Sequence, residues 1–206
     1  MPETFKFKKI VQMKTSNLAK YQSKNPVQRA LISRFQKKVI SLIKNKDLKT
    51  VTDVGCGEGF GLKNLSNNNI GKRYLGLDSS KTSLRLARKI NPEFEYTLGS
   101  IYDTKLKNGY YDIVMCTEVL EHLEDPEAAI VELRRISKKY VLISVPFEPW
   151  FRIMNFLRGK YLNTWGNHPE HINWWGKKGF KKLVSKHLKI RHYTISLPWQ
   201  IVLCEI

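Results

Sequence analysis

Val51-Thr52-Asp53-Val54-Gly55-Cys56-Gly57-Glu58-Gly59, with Asp78 nineteen residues further on, is the stretch whose reading decides the fold. Val51 to Val54 reads as a buried strand. Three alternate glycines then predict a sharp turn into a helix, because bare backbone accepts unusual φ values and lets a ligand lie against it. Asp78 ends the next apolar run, Tyr74-Leu75-Gly76-Leu77. A carboxylate at the tip of a second strand can accept hydrogen bonds from both hydroxyls of a ribose. Loop and carboxylate together predict a nucleoside cradle.

The glycine spacing narrows the ligand. Dinucleotide sites use G-x-G-x-x-G, with the pyrophosphate over a helix N-terminus. Counted from Gly55, the third glycine of that pattern would fall at Phe60, whereas this chain has G-x-G-x-G preceded by Asp53. The pattern resembles the first motif of the class I S-adenosylmethionine-dependent methyltransferases. That cofactor carries no phosphate; its amino-acid end asks for an acid and backbone groups.

Two further stretches extend the resemblance, which covers residues 49–146 well. Gly99-Ser100-Ile101 follows the third expected strand, where the family places groups around adenine. The family's usual aspartate after that glycine is Ser100 here, so the resemblance leaves adenine to backbone and Ile101. The segment from Tyr111 through Thr117-Glu118-Val119-Leu120-Glu121-His122 to Pro126 resembles the fourth strand and following helix of the branch that modifies small molecules, quinones and lipids. By resemblance, the cofactor site comprises Asp53, Gly55, Cys56, Gly57, Gly59, Asp78, Ser79, Ser100, Ile101, Thr117 and Glu118. The implied cofactor is S-adenosyl-L-methionine.

Elements alternate along the chain. Asn25-Pro26 reads as an N-cap with proline at the first helical position, and Val27, Leu31, Phe35, Val39 and Ile43 form the stripe of an amphipathic helix. Strands are expected at 49–54, 73–78, 94–99, 111–117 and 140–145, with helices from about 60, at 81–90 and at 125–138. This predicts a doubly wound α/β sheet. A basic helix from Gly176 to His187 and strands at 188–196 and 200–205 would close it with a hairpin. The family shows that ending: seven strands, mostly parallel, the last antiparallel, in a Rossmann-like single domain. The expected division is a basic extension and helix (1–46), a cofactor-binding core (47–146), an aromatic substrate lid (147–175) and a closing helix and hairpin (176–206).

Glu118, Glu121 and His122 stand at i, i+3 and i+4, so one helical turn would place them on one face. His168-Pro169-Glu170-His171 supplies two further imidazoles. Carboxylates with histidines make a mixed oxygen/nitrogen set for a divalent ion. The arrangement is similar to small-RNA 3′-terminal 2′-O-methyltransferases, where a metal binds the terminal ribose hydroxyls. The E-x-x-E-H wording is widespread in the branch, however, so no metal is assigned and His171 is expected to point away from Glu121. His122, His171 and Glu121 stand as candidate general bases.

Other chemistries are argued against by absent motifs. Thr117-Glu118-Val119-Leu120 stands where adenine N-methylation uses an Asp/Asn-Pro-Pro-aromatic turn. Cys56, Cys116 and Cys204 do not follow proline, as the nucleophile of cytosine C5 methylation commonly does. Their isolation gives neither a disulfide framework nor zinc spacing, and predicts a reducing, cytoplasmic setting. No apolar run reaches about 18 residues, and the first residues lack the apolar stretch of a signal peptide. An oxygen acceptor, or a simple nitrogen one, is left.

Charge points to partners. Residues 1–50 carry +11, 51–146 zero and 147–206 +7, making +18 in all. Basic flanks around a neutral core attract RNA or an anionic membrane surface, or merely solubilise. Aromatics with Arg152, Arg158 and Lys160 interleaved run from Phe147 to Trp175, and Trp150 to Leu157 is expected as an amphipathic lid helix. The expected partner is a small-molecule, lipid-linked or sugar-containing acceptor; an RNA ribose, or a non-catalytic cofactor-binding subunit, is the alternative. Placement is cytoplasmic, with peripheral membrane contact as the second option.

Overall fold

The computed structural model describes residues 16–157, 159, 162–166 and 169–206. A short helix α1 (Ser16–Tyr21) precedes α2 (Pro26–Ile43), which starts where Asn25 accepts hydrogen bonds from the N–H groups of Val27 and Gln28. The core then runs β1 (Thr50–Val54), α3 (Phe60–Asn67), β2 (Arg73–Asp78), α4 (Lys81–Ile90), β3 (Glu95–Leu98) and β4 (Tyr111–Thr117). A single 3₁₀ turn (Leu120–His122) leads into α5 (Pro126–Ile136) and β5 (Ser137–Pro146). The lid helix α6 (Trp150–Leu157), a 3₁₀ turn (Leu162–Thr164), α7 (Lys177–Ser185), β6 (Lys189–Ser196) and β7 (Trp199–Glu205) complete the order. Phe5, Phe7, Ile10 and Val11, the apolar candidates to anchor the basic N-terminal extension, and His168 lie outside the described residues.

The seven strands form one sheet in the order β3-β2-β1-β4-β5-β7-β6. All neighbours are parallel up to β5; β7 runs antiparallel to both β5 and β6. Strand side chains alternate between faces, so a sheet covered on both sides reads apolar at every position. Ile113 and Met115 of β4 join Val39, Ile43, Leu62 and Leu65 on the face under α2 and α3. Val114 and Cys116 join Ile130, Leu133, Phe180 and Val184 under α5 and α7. Asp112 fixes the entry to β1, accepting the N–H of Lys49 at 2.8 Å and of Thr50 at 3.1 Å. Burial opposes its charge, but these bonds and Lys139 win and hold it at about 2.

β1 and β4 are adjacent, yet their crossovers leave in opposite directions. This is the switch point where doubly wound sheets leave a crevice beyond the strand ends. Among the described residues no helix is long and apolar enough to cross a membrane.

Candidate active site

A cavity of about 690 Å³ opens at that crevice. Its floor is Asp53, Gly55, Cys56 and Gly57 from the end of β1, with Thr117 and Glu118 from the end of β4. Gly57 has φ +53°, and a Cβ there would meet the Asn17 amide at 2.9 Å. Gly61 matters as well, though the motif count skips it. A Cβ at Gly61 would lie 2.5 Å from Asp53 Oδ2, so only bare helix backbone fits over that carboxylate.

Asp53 is buried and its Oδ1 has no hydrogen-bond partner among the described residues. Burial, then the nearby Asp78, raises its pKa from 3.8 to about 7. A buried acid with an unpaired oxygen at a cavity floor is complementary to a cationic ligand group. Asp78 sits at the tip of β2 as expected, accepting the N–H of Gly57 at 2.7 Å on one oxygen and that of Ser80 at 2.8 Å on the other. Burial raises the Cys56 thiol, which stays protonated and packs.

Gly59, Asp78, Ser79, Ser100 and Ile101 are not among the cavity walls. Ile101 turns instead into the core with Val54 and Leu77. The Ser100 hydroxyl accepts the N–H of Tyr102 and holds its own loop. A family aspartate is thus replaced by a residue that serves the turn.

The far wall corrects two expectations. Glu118 does not share a helical face with Glu121 and His122, because its φ of +60° breaks the chain direction before the 3₁₀ turn. It accepts from the Ser144 hydroxyl at 3.2 Å instead. His171 does not point away. Glu121, His122 and His171 each offer a ligand atom within 4.8 Å of the others. The backbone brings them together: the N–H groups of Ile172 and Asn173 donate to the Glu121 carbonyl at 2.9 and 3.1 Å. The Asn173 side chain also donates to the Leu123 carbonyl at 2.6 Å.

The electrostatics of this group are specific. His122 Nδ1 lies 2.8 Å from the Glu170 carbonyl. A carbonyl only accepts, so Nδ1 is the protonated nitrogen of this contact, which sets the tautomer of the ring. The His171 ring stands edge-on to His122 at 4.9 Å and against Phe151 at 5.2 Å. Glu121 is buried with Oε2 lacking a hydrogen-bond partner among the described residues. Burial, then Glu118, pushes its carboxyl well above the usual range. The spread of the three ligand atoms is close to twice a metal–ligand distance of about 2.0–2.6 Å, so a divalent cation fits with a small contraction.

Three residues of the site come from helix α1, outside the 49–146 stretch that carries the resemblance. The Asn17 amide donates to Glu58 Oε2 at 2.6 Å. Tyr21 stacks on Phe60 at 4.1 Å and 13°. The Lys20 ammonium lies 4.8 Å from the Trp199 ring centre and attracts both Glu118 and Glu121. Helix α1 therefore covers the glycine turn and faces the acids at once. A six-residue helix has no periodicity to read, and Asn17, Lys20 and Tyr21 form no motif that marks them.

Residues 52–143 match a family model described as a methyltransferase domain. The matched stretch is a methyltransferase domain. A ubiquinone biosynthesis O-methyltransferase of Vibrio parahaemolyticus is 37% identical over 87 residues, covering 40% of this chain and 36% of that enzyme. The matched stretch thus spans well under half the length of this curated relative. The same fold occurs in magnesium protoporphyrin IX methyltransferase from Synechocystis with bound SAH, at 17% identity and TM-score 0.66, over 98% of this chain and 93% of that one. The PH0226 protein of Pyrococcus horikoshii aligns with TM-score 0.71 at 15% identity, over 88% and 92% of the two chains. The glycine turn of this methyltransferase domain and the Glu121–His122–His171 group line one cavity.

Proposed function

We propose that the chain transfers the methyl group of S-adenosylmethionine to a hydroxyl of a small, lipid-linked or sugar-containing acceptor. The observation that carries this reading is the convergence of Glu121, His122 and His171 in the cavity floored by the glycine turn. When bound, the cofactor would supply an electrophilic methyl carbon for the acceptor oxygen, with its sulfur as the leaving atom.

The residues supply placement and charge. Asp53 and Glu118 would hold the cationic amino-acid end, with the backbone of Gly55 to Gly57 beside it. Asp78, which already holds the turn, offers its remaining lone pairs to ribose hydroxyls. Nε2 of His122 accepts the acceptor's hydroxyl proton as the oxygen becomes a nucleophile. Protonated Glu121 donates to, or orients, the same group; Phe151 and His171 wall it off. Most of the acceleration then comes from orientation.

A second reading has its own support. The paired imidazoles, and a Glu121 oxygen without a partner among the described residues, suit a divalent cation, which would ionise Glu121 and grip a vicinal diol. An RNA 3′ ribose or a catechol carries one. The test is S-adenosylhomocysteine release with catechol, and separately with a short RNA, before and after EDTA. Turnover of either probe supports transfer to oxygen. Loss in EDTA, restored by Mg²⁺ or Mn²⁺, selects the cation reading; full activity in EDTA selects the histidine base. S-adenosylmethionine that fails to bind in calorimetry refutes both.

A further inference from the structure

Among the described residues twelve large hydrophobic side chains are exposed, and six of them fall between Trp150 and Trp174. Helix α6 explains the concentration. Its inner face, Phe151, Met154 and Asn155, lines the acceptor end of the cavity. Its outer face repeats at i, i+3 and i+6: Trp150, Ile153 and Phe156 are 41–47% exposed. Trp165, 74% exposed, stacks on Phe156 at 6.0 Å and 9° and widens that face. The loop carrying Trp165 is pinned there, because the Asn155 side chain donates to the Gly166 carbonyl at 3.1 Å.

The helix is about 12 Å long, with no acidic residue, so its outer side is an apolar strip rather than a scatter of single residues. The surrounding sequence is strongly one-signed. Residues 149–182 carry seven Lys/Arg and one acid, Glu170, a net +6. An apolar strip within a basic segment is the composition of a helix that lies in the interface of an anionic bilayer. RNA fits less well. Ile153, at the centre of the strip, offers no flat face to a base, and Phe156 and Trp165 already stack on each other. A bilayer accepts an aliphatic side chain and ring edges alike.

We infer that the outer face of α6, extended by Trp165, is a docking surface for an anionic lipid bilayer, placing the acceptor cavity on the membrane side of the domain. The inference stands on this face and its charge, not on the chemistry of the cavity, so it succeeds or fails independently of methyl transfer.

The experiment is co-sedimentation of the full chain with vesicles of phosphatidylcholine alone and of phosphatidylcholine mixed with phosphatidylglycerol. Binding to the mixed vesicles that weakens with salt is expected. The double variant Ile153→Asp/Phe156→Asp should reduce that partition by at least about tenfold. Trp165→Asn is the second variant; Trp165 sits at φ +52°, a backbone shape asparagine tolerates, so the fold survives and the loss must persist. Variants that sediment like the parent overturn the proposal, as does equal binding to neutral vesicles. If a single-stranded RNA strips the parent from vesicles and the same variants lose RNA binding, the face serves nucleobases and the bilayer assignment falls.

Discussion

Replacing Asp53 by asparagine keeps the shape of the side chain and removes its charge, and its effect should reverse between the empty and the loaded protein. In the empty protein the carboxyl is raised from 3.8 to about 7, chiefly by burial and then by Asp78. An acid whose folded pKa lies above its unfolded one holds its proton longer in the folded state. Stability is therefore full below about pH 4 and is lost as pH rises to about 7, where it levels off. The total loss is on the order of 4 kcal/mol, at about 1.36 kcal/mol per pH unit over that window. Asparagine escapes this loss but buries an amide with imperfect partners, at about 1–3 kcal/mol. Urea unfolding from pH 4 to 8 should then show Asp53→Asn more stable than the parent by about 1–3 kcal/mol at pH 8, and equal or less stable at pH 4. Saturating S-adenosylmethionine should abolish the advantage, since the cationic ligand favours the ionised parent. Parallel profiles for parent and variant, with and without ligand, would refute the argument.

Asp78→Ala should weaken S-adenosylmethionine binding by about 1.5–3 kcal/mol in calorimetry, through lost ribose contacts and a loosened Gly57. Asn17→Leu combined with Tyr21→Ala should cost about 1–2 kcal/mol of the same affinity, and hydrogen exchange in residues 17–21 should no longer slow on adding cofactor. His122→Ala should cut turnover of a hydroxyl acceptor by about a hundredfold or more while cofactor affinity moves less than about twofold. Equal loss in both would make His122 a structural residue.

The sheet was legible because its signals are local. Strand β2, helix α4 and strand β4 span the expected 73–78, 81–90 and 111–117, since apolar runs and caps act within a few residues. Asn25-Pro26 marked the start of α2 for the same reason. The site was half legible. The turn from Gly55 to Gly57 is a local constraint, and it shows. The approach of His171 to Glu121 is made by backbone hydrogen bonds across fifty residues, and no spacing encodes it. The break at Glu118 was hidden because left-handed backbone at a glutamate has no sequence mark. Ile101 was drawn from the adenine side into the core by ordinary apolar packing against Leu77.

Helix α1 belongs to both halves of the cavity. Asn17 and Tyr21 rest on the glycine turn, while Lys20 on the same six-residue piece faces Glu118 and Glu121. So short a helix has little stability of its own, and it stays in place through what it touches. Its position is thus a shared variable of two binding equilibria. Thermodynamic linkage then imposes reciprocity: by whatever factor a seated cofactor, through α1, alters the affinity for acceptor, a seated acceptor alters the affinity for cofactor equally. Neutralising Lys20 would leave each ligand a site but cut that exchange between them.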